Sequence, residues 1–122
     1  MNLPDPRGFL RECARVLRPT GRLALHEWFV NRLGSLSYPL PWAANPSLNF
    51  ALRAERFLEL LREQNFSLQY EDVTPAMADR LQKDIQVLVS RNGPVERIAA
   101  LENLVRAATD GLLCCWMVIA DR

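Results

Sequence analysis

The stretch "RVLRPTGRLALHEWF" (15–29) constrains the fold most. An amphipathic run stops at Pro19, which cannot continue a helix, and Thr20-Gly21 supplies the turn. An apolar run follows at once. A helix joined to a strand by so short a turn is a unit of an α/β sheet, and it requires further strands to pair with.

The helix of this unit opens at Asp5-Pro6, a good N-cap followed by a proline at the first helical position. Phe9/Leu10, Cys13/Ala14 and Val16/Leu17 recur at helical spacing and define one apolar face. Residues 22–28 read as its strand. Residues 30–52 carry no clear period and are interrupted by Pro39, Pro41 and Pro46. A loop of this length is usually functional or disordered, and Tyr38 and Trp42 argue for order because they have apolar surface to bury. "AERFLELLREQN" (54–65) is the next helix, with Asn65 suited to a left-handed C-terminal cap.

"FSLQYED" (66–72) alternates strictly and predicts an edge strand with one buried face, formed by Phe66, Leu68 and Tyr70. By the same cap-then-proline logic Thr74-Pro75 opens a helix that stops at Asn92-Gly93, and Pro94 opens another that reaches about Thr109. The stripe Met77, Leu81, Ile85 and Leu88 marks the packed side of this hairpin, as a cover over a site or as plain core. "LLCCWMVIA" (112–120) is continuously apolar, as expected of a strand covered on both faces; a buried helix segment is the alternative.

Composition excludes several classes of function. The net charge of +1 gives no electrostatic case for nucleic acid or an anionic membrane. No apolar stretch is long enough to span a bilayer, and the first residues lack a secretory pattern. Cys13, Cys114 and Cys115 are odd in number. Two of them are adjacent and would point to opposite faces of a strand, which argues against a disulfide framework or a metal site. They read as reduced apolar residues of a cytoplasmic protein.

In order and spacing, these segments resemble the C-terminal half of class I S-adenosylmethionine-dependent methyltransferases. "FLRECARVLRPTGRLAL" is similar to their fifth-strand unit: Glu12, Arg15, Val16, Leu17, Arg18, Pro19 and Gly21 match, and Thr20 replaces a glycine. Gln64-Asn65-Phe66 stands where the family commonly has Ala-Gly-Phe. "YPLPWAANPSLNF" is similar to the substrate-side loop of small-molecule enzymes related to glycine and sarcosine N-methyltransferases, and "GLLCCWMVIADR" fits the seventh strand.

The resemblance implies an α/β, partial Rossmann-like sheet of three strands ordered 22–28, 112–120, 66–72, with the last strand of the chain antiparallel in the middle and about four helices. It implies one partial domain over 1–122: the helix and fifth-strand unit at 1–29, the substrate-side loop at 30–52, and the remaining helices and strands at 53–122. The family's glycine-rich cofactor loop and its ribose-binding acidic residue have no counterpart in the sequence. "MNL" resembles an internal stretch of longer relatives, so Met1 reads as an internal methionine.

The expected function is methyl transfer from S-adenosylmethionine to a small-molecule acceptor. This chain would supply the acceptor side, without binding the cofactor or acting alone. The alternative is a non-catalytic fragment or interaction module, with self-association through the exposed strand 22–28.

Ligands of open α/β sheets bind beyond the carboxyl ends of the parallel strands. His26 is therefore the candidate base, set against a histidine that hydrogen-bonds a neighbouring loop. Glu27 is a candidate for orienting an amine or hydroxyl, set against a salt bridge. Tyr38 and Trp42 would wall a pocket or shield the sulfonium, set against pinning the loop to the core. Asn45 and Asn49 are candidate substrate contacts, with turn formation as the simpler account of Asn45. Asp72 is expected to help cap the following helix. No residue is assigned to cofactor or metal.

Overall fold

The computed structural model describes residues 2–122, so the reading of Met1 lies outside the described residues. The elements are α1 (Pro6–Val16), β1 (Arg22–Val30), a short 3-10 turn (Pro46–Leu48), α2 (Ala54–Glu63), β2 (Ser67–Asp72), α3 (Thr74–Ser90), α4 (Val95–Thr109) and β3 (Leu113–Asp121). The sheet order is β1-β3-β2, with β3 antiparallel to both neighbours. The expected order and the central antiparallel strand are both found.

Local chemistry explains most boundaries. Asp5 caps α1 by accepting from the Gly8 N–H at 2.9 Å. Asn65 follows α2 with a φ of 62°, the left-handed conformation that asparagine tolerates. Asp72 accepts from the Thr74 N–H at 2.9 Å, as its capping role predicts. Thr74 is different from the expectation. It is the first helical residue rather than the cap, and its hydroxyl accepts from the Cys115 N–H at 2.8 Å, tying α3 to the central strand.

Helices cover the two faces of the sheet unequally. One face carries Leu23, Leu25, Phe29, Leu68, Cys114, Val118 and Ala120, packed under Leu10 of α1 and Phe57, Leu58 and Leu61 of α2. The rings of Phe29 and Phe57 lie 5.1 Å apart at its centre. The other face is covered at one end only. There Leu113 packs against Leu40 of the long loop, Leu81 of α3 and Leu104 and Ala107 of α4. Towards the other end Ala24, His26 and Gln69 are exposed, and Met117 is 39% exposed. The apolar run of β3 is thus a strand, but its second half is covered on one face alone.

Three boundaries or patterns need correction. β1 runs to Val30, because Trp28, Phe29 and Val30 continue to pair with Cys115, Cys114 and Leu113. His26 and Glu27 therefore lie within the strand, not at its end. The loop is more regular than its sequence implies. Leu40 and Ala43 exchange backbone hydrogen bonds, and the Val30 N–H donates to Leu52 O at 2.8 Å. Phe66 is buried just before β2, but Tyr70, on the same face as Leu68, is 49% exposed, its ring stacked on Trp116 at 5.2 Å.

Candidate functional site

The long loop folds into a hydrogen-bonded knot. The Asn49 side chain lies at its centre: its Oδ1 accepts from the Trp42 indole N–H at 3.0 Å, and its amide donates to the Tyr38 hydroxyl at 3.0 Å. The Ala51 N–H donates to the same Oδ1 at 3.2 Å. Three residues singled out in sequence, Tyr38, Trp42 and Asn49, are thereby brought together. Asn45 stands apart from them. Its side chain accepts from the Ser47 N–H at 3.0 Å and caps the 3-10 turn, as the simpler account has it.

Asn2 then ties the N-terminal segment to this loop. Its amide donates to Trp42 O at 3.0 Å and Leu48 O at 2.8 Å, and its oxygen accepts from the Phe50 N–H at 2.6 Å. A cavity of about 200 Å³ is left where this tie meets β1, lined by Asn2, Glu27, Trp28, Trp42 and Ala51. Glu27 is the one ionisable side chain among these residues. Trp28 and Trp42 both pack against the core of the α3–α4 lobe, which fixes their rings.

His26 points to the face opposite Glu27, as alternation along a strand requires. Its ring is exposed, with Nε2 3.2 Å from Cys115 Sγ, and it lines neither this cavity nor the groove described next. Burial pushes the Cys115 thiol up to about 12, so the neighbouring sulfur stays protonated at neutral pH.

A wider groove of about 590 Å³ lies on the far side of Trp42, between Pro39–Ala44 and the first turns of α4. The Asn103 amide donates to Pro39 O at 2.9 Å and holds the two walls together. Trp42 lines both spaces.

Sequence reasoning missed Asn2 and Trp28. Trp28 was legible as a large aromatic beside Glu27. Asn2 carried no signal beyond its position, because its role depends on contacts 40 to 48 residues away in the chain.

No helix here opens from a glycine-rich turn after a strand: α1 opens at Asp5, α2 after Arg53, α3 after Val73 and α4 after Pro94. Among the described residues no cluster of His, Cys, Asp and Glu could hold a metal ion, and no helix is long and apolar enough to cross a membrane.

No protein-family model and no curated protein sequence matches the chain. Solved structures do match. Phosphoethanolamine N-methyltransferase 2 from Haemonchus contortus, in complex with phosphomonomethylethanolamine and S-adenosylhomocysteine, superposes with a TM-score of 0.80 at 14% identity, over 99% of this chain and 31% of that one. A putative sarcosine dimethylglycine methyltransferase from Galdieria sulphuraria gives 0.74 at 16% identity, over 99% and 49%. Geranyl diphosphate C-methyltransferase from Streptomyces coelicolor gives 0.73 at 17% identity, over 100% and 44%. The chain thus spans about a third to a half of the length of these structures. With its strand order and helix placement, it has the fold of the C-terminal half of S-adenosylmethionine-dependent methyltransferases.

Proposed function

We propose that the chain is the acceptor-side half of an S-adenosylmethionine-dependent methyltransferase acting on a small molecule. The observation that carries this reading is the cavity against β1, where a carboxylate and two tryptophans converge on a methyltransferase fold. Methyl transfer is an in-line displacement, and much of what a protein contributes to it is alignment. Glu27 would orient the acceptor, Trp28 and Trp42 would confine it, and the Asn49 knot would hold Trp42 in place. His26 lines neither this cavity nor the wider groove and is given no role in this arrangement. In this reading another half holds the cofactor, which is supported by the absence of a glycine-rich turn at the start of α1, α2, α3 or α4.

Two measurements test the reading. Calorimetry of the isolated chain with S-adenosylmethionine should give no binding heat; micromolar affinity would overturn the assignment to the acceptor side. In a protein joining this chain to a cofactor-binding half, Glu27→Gln and Trp42→Ala should impair acceptor use and spare cofactor affinity. Equal loss of both, with a lower melting temperature, would mean that Trp42 serves packing alone.

The outer edge of β1, which no other described strand pairs, and the half-covered sheet face favour a second reading, in which the chain associates with another chain and has no chemistry of its own. Stable binding of a partner protein by the chain without methyl transfer in the joined protein would select it.

A further inference from the structure

The open half of the sheet holds a cluster of soft donor groups that the proposed function leaves unused. Side chains alternate along a strand, so His26 of β1 and Cys115 and Met117 of β3 share the face opposite Leu25 and Val118. Met117 is the direct cross-strand partner of His26, and Cys115 is its diagonal neighbour. Directly opposed residues have Cβ atoms about 4.5–5.5 Å apart, within the combined reach of an imidazole and a thioether. The diagonal contact is made: His26 Nε2 lies 3.2 Å from Cys115 Sγ.

Burial is graded across the three. Cys115 is fully buried, His26 is exposed and Met117 is 39% exposed. The buried sulfur is therefore reached from solvent past the imidazole and the thioether. A hollow of about 240 Å³ borders Met117, lined also by Gln69, Tyr70, Glu71 and Ile119. Glu71 is the partner of Met117 on β2 and adds a negative charge on this side. Arg22, the one arginine in the three strands, is paired with Asp121 at 2.6 Å, so it does not oppose a cation here.

This donor set has a specific chemical preference. Thiolate and thioether ligands together select Cu(I), and imidazole also suits copper. The charge count agrees. The thiol releases its proton to solvent on binding, and a monovalent ion takes that proton's place at the sulfur. The buried group then carries no uncompensated charge, whereas a divalent ion would leave a net positive charge beside it. The separation of the two donors is about 0.5 Å short of the span that bonds of ~2.0 Å to nitrogen and ~2.3 Å to sulfur subtend at a trigonal ion. An exposed ring turns by that amount without moving its strand. The set lies outside clusters of His, Cys, Asp and Glu because its third donor is a thioether.

We propose that His26, Cys115 and Met117 form a binding site for a soft monovalent metal ion of the Cu(I) class. The site is independent of the methyltransferase reading, which gives none of these residues a role.

The test uses the 122-residue chain carrying Cys13→Ser, which removes the one thiol outside β3. Cu(I) is supplied without oxygen from a bathocuproine disulfonate buffer, so competition with the chelator reads the affinity. A single equivalent should bind. It should shift the Met117 methyl and His26 ring signals in step and leave the Met77 methyl unmoved. Met117→Leu keeps the volume and His26→Asn keeps a polar side chain at an exposed position, so both should fold. Each should weaken Cu(I) binding about tenfold or more, the loss expected even for a residue that only orients a ligand. Cys115→Ser should abolish it.

Unchanged affinity in Met117→Leu or in His26→Asn, with circular dichroism confirming the fold, would reduce the site to an ordinary thiol and overturn the proposal. So would binding that leaves the Met117 and His26 signals where they were, or no binding in competition with the chelator.

Discussion

Asn49 shows how much of the site rests on one small amide. It satisfies an indole N–H, a phenol hydroxyl and a backbone N–H together. Removing a shared partner leaves half-buried polar groups unpaired, which costs about 1–3 kcal/mol. Asn49→Ala should therefore lower stability by about 2 kcal/mol in chemical denaturation. It should also speed hydrogen exchange at Ala51 more than at β3. The thiols give a second residue-scale prediction. Burial raises Cys114 to about 11 and Cys115 to about 12, from 9.0. Both should resist a thiol reagent in the native state at neutral pH, while half-buried Cys13 reacts first. The sign of the pH dependence follows. The unfolded thiols ionise near 9 and the folded ones do not, so the unfolded state binds fewer protons above that pH. The stabilisation is complete below pH 9 and is lost as pH rises towards 12. The melting temperature should fall across that window, and less steeply in Cys115→Ala.

At the scale of elements, the sequence was legible wherever a local rule decided the outcome. Proline, Gly and Asn marked the helix ends: Pro6, Asn65 and Asn92 sit where backbone chemistry needs them, the two asparagines with φ of 62° and 51°. Alternation and apolar runs gave the strands. Where tertiary contacts decided, the sequence was less clear. The end of β1 depends on pairing with Leu113 and Cys114 across the sheet, which no local pattern reveals. Glu27 and Trp42 were identifiable as chemistry-bearing residues, yet that they share a cavity follows from the fold of the loop. His26 looked equivalent to Glu27 in a list of residues. Strand alternation points their side chains to opposite faces, yet the cavity takes Glu27 from one face and Trp28 from the other, so only the fold shows that Glu27 lines it and His26 does not. The Asn45 reading shows the same limit from the other side: a residue able to contact a ligand is used to cap a turn.

At the scale of the whole molecule, the outstanding feature is what the sheet leaves open. β3 is paired on both sides, and β2 lies at one edge. Along the outer side of β1, among the described residues, the backbone hydrogen bonds outside helices and strands include one from Val30 to Leu52 and none from 22–29. Alternate residues of this strand (Arg22, Ala24, His26 and Trp28) thus turn their backbone N–H and C=O groups to its outer side, beside a partly uncovered sheet face that exposes Ala24 and Met117. Such an edge is a template for another strand. In isolation the chain is expected to self-associate through β1, and antiparallel pairing of two copies would give a two-fold dimer with a continuous sheet. Light scattering should report a dimer or larger species that dissociates on dilution. Ala24→Lys places a charge on the open face beside this edge and should shift the population to monomer without altering the fold. Hydrogen exchange gives an independent check. In a monomer, amides on the outer side of 22–28 should exchange faster than those of Cys114 to Ala120, and the gap should close as concentration rises. A monomer that persists at high concentration, with β1 as well protected as β3, would count against this. It would mean that the N-terminal residues before α1 shield the edge, and that the chain needs no second strand-bearing partner.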